Sequence, residues 1–258
     1  IRLGPQGRLL AGAVYQPIPD GAGRGLRLGT VRDGGKVAIA TATGERKGYF
    51  IASPGSRIDV AGTTQTLDVA QGASITPIGV NGAAGSIDLT AAEGMVLNGD
   101  LIGTPGSGAG AAGGALDITL GTHDSPGGTI PHTSASSIAT GVNEAIPAGL
   151  KGLARVNPDR LQAGGFDELA LHSLGTNTNP NIQAQITLEG DVNISLDRSL
   201  VLDAPVLSSD GGNARLAASY LRIGSSRLFN LFPVNATSGT GTLSLHGKHV
   251  DLVGTLAL

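Results

Sequence analysis

Gly85-Ser86-Ile87-Asp88-Leu89 and the matching Gly114-Ala115-Leu116-Asp117-Ile118 downstream decide how this chain folds. Each is an apolar-polar-apolar triplet set behind small residues. Strict alternation sends Ile87 and Leu89 to one face and Asp88 to the other, which is the signature of a half-buried strand. Ile58-Asp59-Val60 stands the same distance upstream, so that Ile58, Ile87 and Leu116 are evenly spaced. Later copies read Leu169-Ala170-Leu171, Val192-Asn193-Ile194 and Leu243-Ser244-Leu245. A fixed period in the range of two to three dozen positions indicates a solenoid, in which each repeat is one coil that cannot bury its apolar face alone.

A second triplet follows each first one: Leu67-Asp68-Val69, Met95-Val96-Leu97, Leu200-Val201-Leu202, Leu221-Arg222-Ile223 and Val250-Asp251-Leu252. Two short strands per coil, joined by a Gly-containing corner, match a turn of a parallel β-helix. Asn81-Gly82, Asn98-Gly99, Asp33-Gly34 and Asp210-Gly211 could instead close type I′ hairpins. The long period favours coils, with those dipeptides as corners. Roughly nine to eleven coils stacked at the inter-strand spacing would form a rod about 45–55 Å long.

The 258 residues are therefore read as one elongated all-β body with two interruptions. Residues 103–114 are a Gly- and Ala-rich low-complexity excursion. From about 121 to 165 no useful alternation occurs, and Asn157-Pro158 opening and Gly164 closing predict one short helix there. The insertion is expected to dock on the rod through Ile146, Leu150, Leu153 and Leu161.

Composition narrows the function. Aromatics make up 3% and charged residues 14% of the chain, so the core must be narrow and aliphatic. A net charge of -3, with 17 basic residues spread along the chain, lacks the basic field that nucleic acid requires. Cysteine is absent, which removes disulfides and thiolate metal sites. No apolar run is long enough to span a bilayer as a helix. The repeat-like sequence at both ends is what a piece of a longer protein would show.

No residue set announces catalysis, and no cofactor is expected. Gly108, Gly110 and Gly113 have dinucleotide-loop spacing, but a strand rather than a helix is predicted to follow. His123 and His132 are candidate ligand-binding or metal-ligating residues, in a cluster with Asp124, Ser125 and Ser134 that otherwise reads as a polar loop. Asp59, Asp88 and Asp117 would form an outward ladder if the repeat interval were one coil. Such a ladder could attract calcium, or be relieved by solvation and by Arg57. Polysaccharide-degrading enzymes share the architecture but need an acidic pair beside sugar-stacking aromatics, and only three Tyr and four Phe are present.

Gly164-Gly165-Phe166-Asp167-Glu168-Leu169-Ala170-Leu171, Glu189-Gly190-Asp191-Val192-Asn193-Ile194-Ser195-Leu196 and Arg198-Ser199-Leu200-Val201-Leu202-Asp203-Ala204-Pro205 resemble the repeats of filamentous haemagglutinin-family exoproteins. The stretch from Gly211 to Gly224 continues the likeness, and Gly55 to Gly62 is similar but more generic. The resemblance implies a right-handed parallel β-helix, exported by two-partner secretion through an outer-membrane transporter to the bacterial cell surface. It implies an adhesin, biofilm factor or stalk, with a host-cell glycan or receptor, or neighbouring copies in a fibre, as partners. Three functions follow as expectations: a structural and adhesive fibre segment, a binding module acting through the 121–165 insertion, or, third, a polysaccharide-degrading enzyme.

Overall fold

The computed structural model describes residues 1–41, 48–92, 94–121, 135–139, 153–174, 184–225 and 240–257. The chain is all-β, with one short helix among the described residues, and its large sheets are parallel. It enters through β1 (Arg2–Leu3), in an eight-stranded sheet, and β2 (Arg8–Leu10), in a three-stranded one. An antiparallel hairpin, β3 (Val14–Ile18) with β4 (Leu28–Arg32), precedes β5 (Lys36–Thr41), an edge strand of a seven-stranded sheet.

The next circuit visits the same three places in the same order: β6 (Tyr49–Ala52), β7 (Arg57–Asp59), a second hairpin of β8 (Thr63–Gln71) and β9 (Ser74–Gly82), then β10 (Ser86–Ala91). A third consists of β11 (Gly94–Leu97), β12 (Asp100–Ile102) and β13 (Gly114–Gly121). After it, β14 (Ala135–Ala139) and β15 (Leu153–Val156) both join the eight-stranded sheet, and α1 (Pro158–Ala163) stands in the third position.

From β16 (Phe166–Leu174) the order is regular again. It runs through β17 (Gln185–Glu189), β18 (Val192–Ser195), β19 (Ser199–Asp203), β20 (Val206–Ser209), β21 (Asn213–Ala217) and β22 (Tyr220–Ile223). The last strands are β23 (Thr242–His246), β24 (His249–Leu252) and β25 (Thr255–Ala257).

Parallel, in-register pairing stacks like on like. In the seven-stranded sheet Val37, Ile87, Leu116, Leu169, Leu200, Leu221 and Val250 form one inward column. Ile39, Leu89, Ile118, Leu171, Leu202, Ile223 and Leu252 form the other. All but the edge-strand members, on β5 and β24, are buried. Each buried Val, Leu or Ile contributes about 1.5–3 kcal/mol relative to exposure, so the columns outweigh any polar term on the outside. Facing them are Phe50, Met95, Ile186 and Leu207 of the eight-stranded sheet and Ile58, Leu101, Ile194 and Leu216 of the third face.

Several expectations need correction. A circuit places strands on three faces, not two, and the seven-stranded sheet is shorter than nine to eleven coils. Among the described residues two hairpins exist, although the period argued against any. Neither turns at the four suspected dipeptides: β8 and β9 close on Gly72-Ala73, with Gly72 at φ 64°. Leu67-Asp68-Val69 belongs to β8, not to a coil strand. Of the three evenly spaced triplets only those at Ile87 and Leu116 are rungs of one sheet, although the same interval recurs as a rung between Ala214 and Leu243 and between Leu221 and Val250. Ile58 pairs with Leu9 and Leu101 on another face, and the hairpin alone makes its distance to Ile87 the same. The bare circuit is shorter, running from Leu200 only to its partner Leu221.

α1 follows the expected capping. Asn157 accepts N–H bonds from Asp159 (2.9 Å) and Arg160 (3.4 Å), and Pro158 opens the helix. The cap residue Gly164 stays right-handed at φ -68°. The helix takes the rung between β12 and β18, dividing the third face into two three-stranded sheets. Gln162 completes that rung. Its amide donates to Ser195 O at 2.9 Å and accepts from Ser195 N at 2.8 Å, as a neighbouring backbone would. Arg160 holds Asp100 of β12 at 3.1 Å on the other side.

Candidate functional site

Three excursions leave the parallel sheets at the same corner, between the third face and the seven-stranded sheet, in successive circuits. They are the two hairpins and the Gly-rich residues 103–113. They gather into one lateral lobe. In the first hairpin the Asp20 carboxylate accepts N–H bonds from Ala22, Arg24 and Leu26 and so shapes the loop; those bonds, Leu26's first, hold its pKa below the ordinary value. Asp68 of β8 ties the hairpins together: its N–H donates to Arg27 O at 2.9 Å, and its carboxylate accepts from Arg27 N at 2.7 Å. Thr64 accepts from Ser107 N at 2.7 Å, and Gly62 N donates to Thr104 O at 2.8 Å, docking the Gly-rich stretch.

Where this lobe meets the seven-stranded sheet lies an open trough of about 450 Å³. Gly34, Gly85 and Gly113 floor it; Lys36, Glu168 and Arg198 rim it. The floor must be glycine: a Cβ on Gly85 would collide with the carbonyl oxygen of Gly35. Gly113 N donates to Asp167 at 2.7 Å, and each rim cation holds a carboxylate, Arg198 that of Glu168 at 2.7 Å and Lys36 that of Asp88.

The outward side of the same sheet carries the chain's densest ionic network among the described residues. Asp88 and Asp117 are direct register partners, as the ladder required. Asp59 is not in it: it lies in β7 on the third face, paired with Arg57 at 2.5 Å and accepting from Ala61 N at 2.9 Å. The adjacent carboxylates are separated into two pairs. Lys36 holds Asp88, and that pairing raises the lysine pKa. His172 holds Asp117 at 3.6 Å and, on its other nitrogen, Asp203 at 3.0 Å.

Asp117 first and Asp203 second push the His172 pKa up to about 9 against partial burial. The 3.0 Å contact is the hydrogen bond proper, and the longer one an ion pair. Asp117 in turn is held below the usual carboxylate range by His172. Each carboxylate thus already has a protein cation that offsets the repulsion. Further along, Tyr220 stacks on His249 at 5.6 Å between ring centroids and donates to Asp251 at 3.0 Å, which raises the tyrosine pKa.

His123 and His132 lie outside the described residues, as do Ile146 and Leu150. Of the four proposed anchors, Leu161 is buried in α1 and Leu153 is half-buried in β15. Gly113 of the dinucleotide-like spacing leads into β13, a strand as expected. His172 and Asp203 went unnoticed in the sequence because their meaning depends on register. They are far apart in the chain and meet only because β16 and β19 pair. No known protein family, no curated protein and no solved structure matches this chain.

Proposed function

We propose that the chain is a right-handed parallel β-helical segment of a long secreted bacterial surface fibre of the filamentous haemagglutinin kind, structural and adhesive rather than catalytic. The observation that carries this reading is the fixed cyclic order in which the chain revisits three faces, with parallel pairing each time. Parallel crossovers are right-handed in about 98% of cases, which supports the hand. Such a rod suits display: its length grows by adding circuits, and its outward faces are free to vary.

The non-catalytic part rests on the ionic groups. Lys36, Asp88, Asp117, His172 and Asp203 satisfy one another along the strands instead of converging on a cleft. Contact with a host-cell glycan or receptor falls to irregular elements, and the lobe with its trough is the irregular element best placed for it. The test is secretion and adhesion of the parent protein. Its surface display is expected to require an outer-membrane transporter of the two-partner type. Retention inside cells that carry the transporter, or display without one, would overturn the reading.

A further inference from the structure

Between Gly121, the end of β13, and Phe166, the start of β16, the chain leaves the seven-stranded sheet for a long excursion, matched only by the one between β5 and β10, and the sheet closes over the gap. Closing a long loop costs entropy before the strands meet. The seam also begins with a register shift between Gly114 and Ala115. We propose that His172 is a proton-dependent clamp across this seam, binding β13, β16 and β19 together while it is charged and releasing them when its proton is lost.

The geometry requires the charged form. Nε2 faces Asp117 of β13 and Nδ1 faces Asp203 of β19. Only the imidazolium has a donor on both nitrogens; either neutral tautomer turns a lone pair toward a carboxylate. The other charged groups nearby among the described residues are already engaged. Glu168, on the same strand, holds Arg198, and Asp88, the register partner of Asp117, holds Lys36 of β5. Thr119, the register partner of His172, is neutral and donates to Asp117 at 3.2 Å. Two carboxylates therefore face one histidine.

The direction of the pH effect follows. The histidine pKa is raised from 6.5 to about 9, so its contribution is complete below about 6.5 and is lost as pH rises through about 9. Asp117 is lowered from 3.8, so its side of the clamp holds above that value and fails only in stronger acid. The clamp is closed from mildly acidic to neutral pH and opens in alkali.

The experiment uses the intact chain, with H172Q and D117N as variants. The His172 Cε1 proton, assigned by its absence from H172Q, is expected to titrate near pH 9. Urea unfolding between pH 6 and 10 should show the wild-type unfolding constant rising by about tenfold or more relative to H172Q, since a pKa displaced by one pH unit on folding is worth a factor of ten. In D117N the histidine midpoint should fall by about one pH unit or more. A midpoint near 6.5, a parallel pH profile in wild type and H172Q, or a midpoint unmoved in D117N would each overturn the clamp. Should H172Q not fold, the wild-type and D117N midpoints decide alone.

Discussion

The circuits up to β13 and those from β16 onward share the same inward columns but treat their corners differently. Before β13, every circuit from β2 to β13 leaves the rod between the third face and the seven-stranded sheet. After β16, β18 leads to β19 and β21 to β22 with no such excursion. The columns run through both halves with the same register. Burial along the columns, not the length of chain between rungs, therefore defines the fold.

The comparison breaks most severely if the columns are not equivalent. Ile87→Asp and Leu200→Asp, one in each half, should both cost about 4 kcal/mol or more, because an unpaired charge cannot be hydrated in so narrow a core. Chemical denaturation would show it. One substitution being tolerated would mean that the halves are separate structures. Next in size is Gly85→Ala, whose methyl meets Gly35 O and should cost about 2 kcal/mol or more. Gly79→Ala in β9 meets no neighbouring atom and should stay within about 0.5 kcal/mol. Equal melting shifts for the two would remove the distinction between corner and lobe.

Removing the second hairpin sharpens the same point. Thr63 and Gly82 are register partners, so residues 64–81 can be deleted and the ends joined by a short turn. The circuits should keep their circular dichroism, with a modest loss from exposing what Leu67 covers. Collapse of the signal would make the lobe part of the core. At the boundary between halves, Asn157→Ala should cost about 1 kcal/mol through the helix cap, read from the denaturation midpoint. On the surface of the second half, Arg198→Ala should cost under about 1 kcal/mol, because its pair with Glu168 is largely solvent-exposed.

Most of the columns were legible in the sequence, because alternation is a local property: Ile87, Leu89, Leu116 and Ile118 can be placed from their neighbours alone. What pairs with what was not. Asp59, Asp88 and Asp117 have the same sequence environment, yet only two share a sheet, because an intervening hairpin is invisible to a residue count. The hairpin itself left a signal, two β-branched runs about a Gly-containing loop, with Pro77 fit only for an edge strand. The regular spacing of the triplets masked it. The ionic clamp of His172 was illegible for the opposite reason: nothing local distinguishes that histidine until three strands are aligned.

The amide of Gln162 standing in for a strand has a mechanical consequence. Elsewhere on the third face, neighbouring rungs share a run of backbone bonds; at α1 a single one, from Gly103 N to Gly164 O at 2.8 Å, stands beside side-chain links, with β18 held through the Gln162 amide and Asp100 of β12 through the Arg160 guanidinium. Circuits pulled apart along the stacking direction divide the load among three faces, and here one face is secured mainly by groups that can rotate away. The rod should therefore bend about this level, opening on the third face while the two continuous sheets act as the hinge. Force spectroscopy on the chain tethered at its ends should show its first yielding event there, and Gln162→Leu should lower the force at which it occurs.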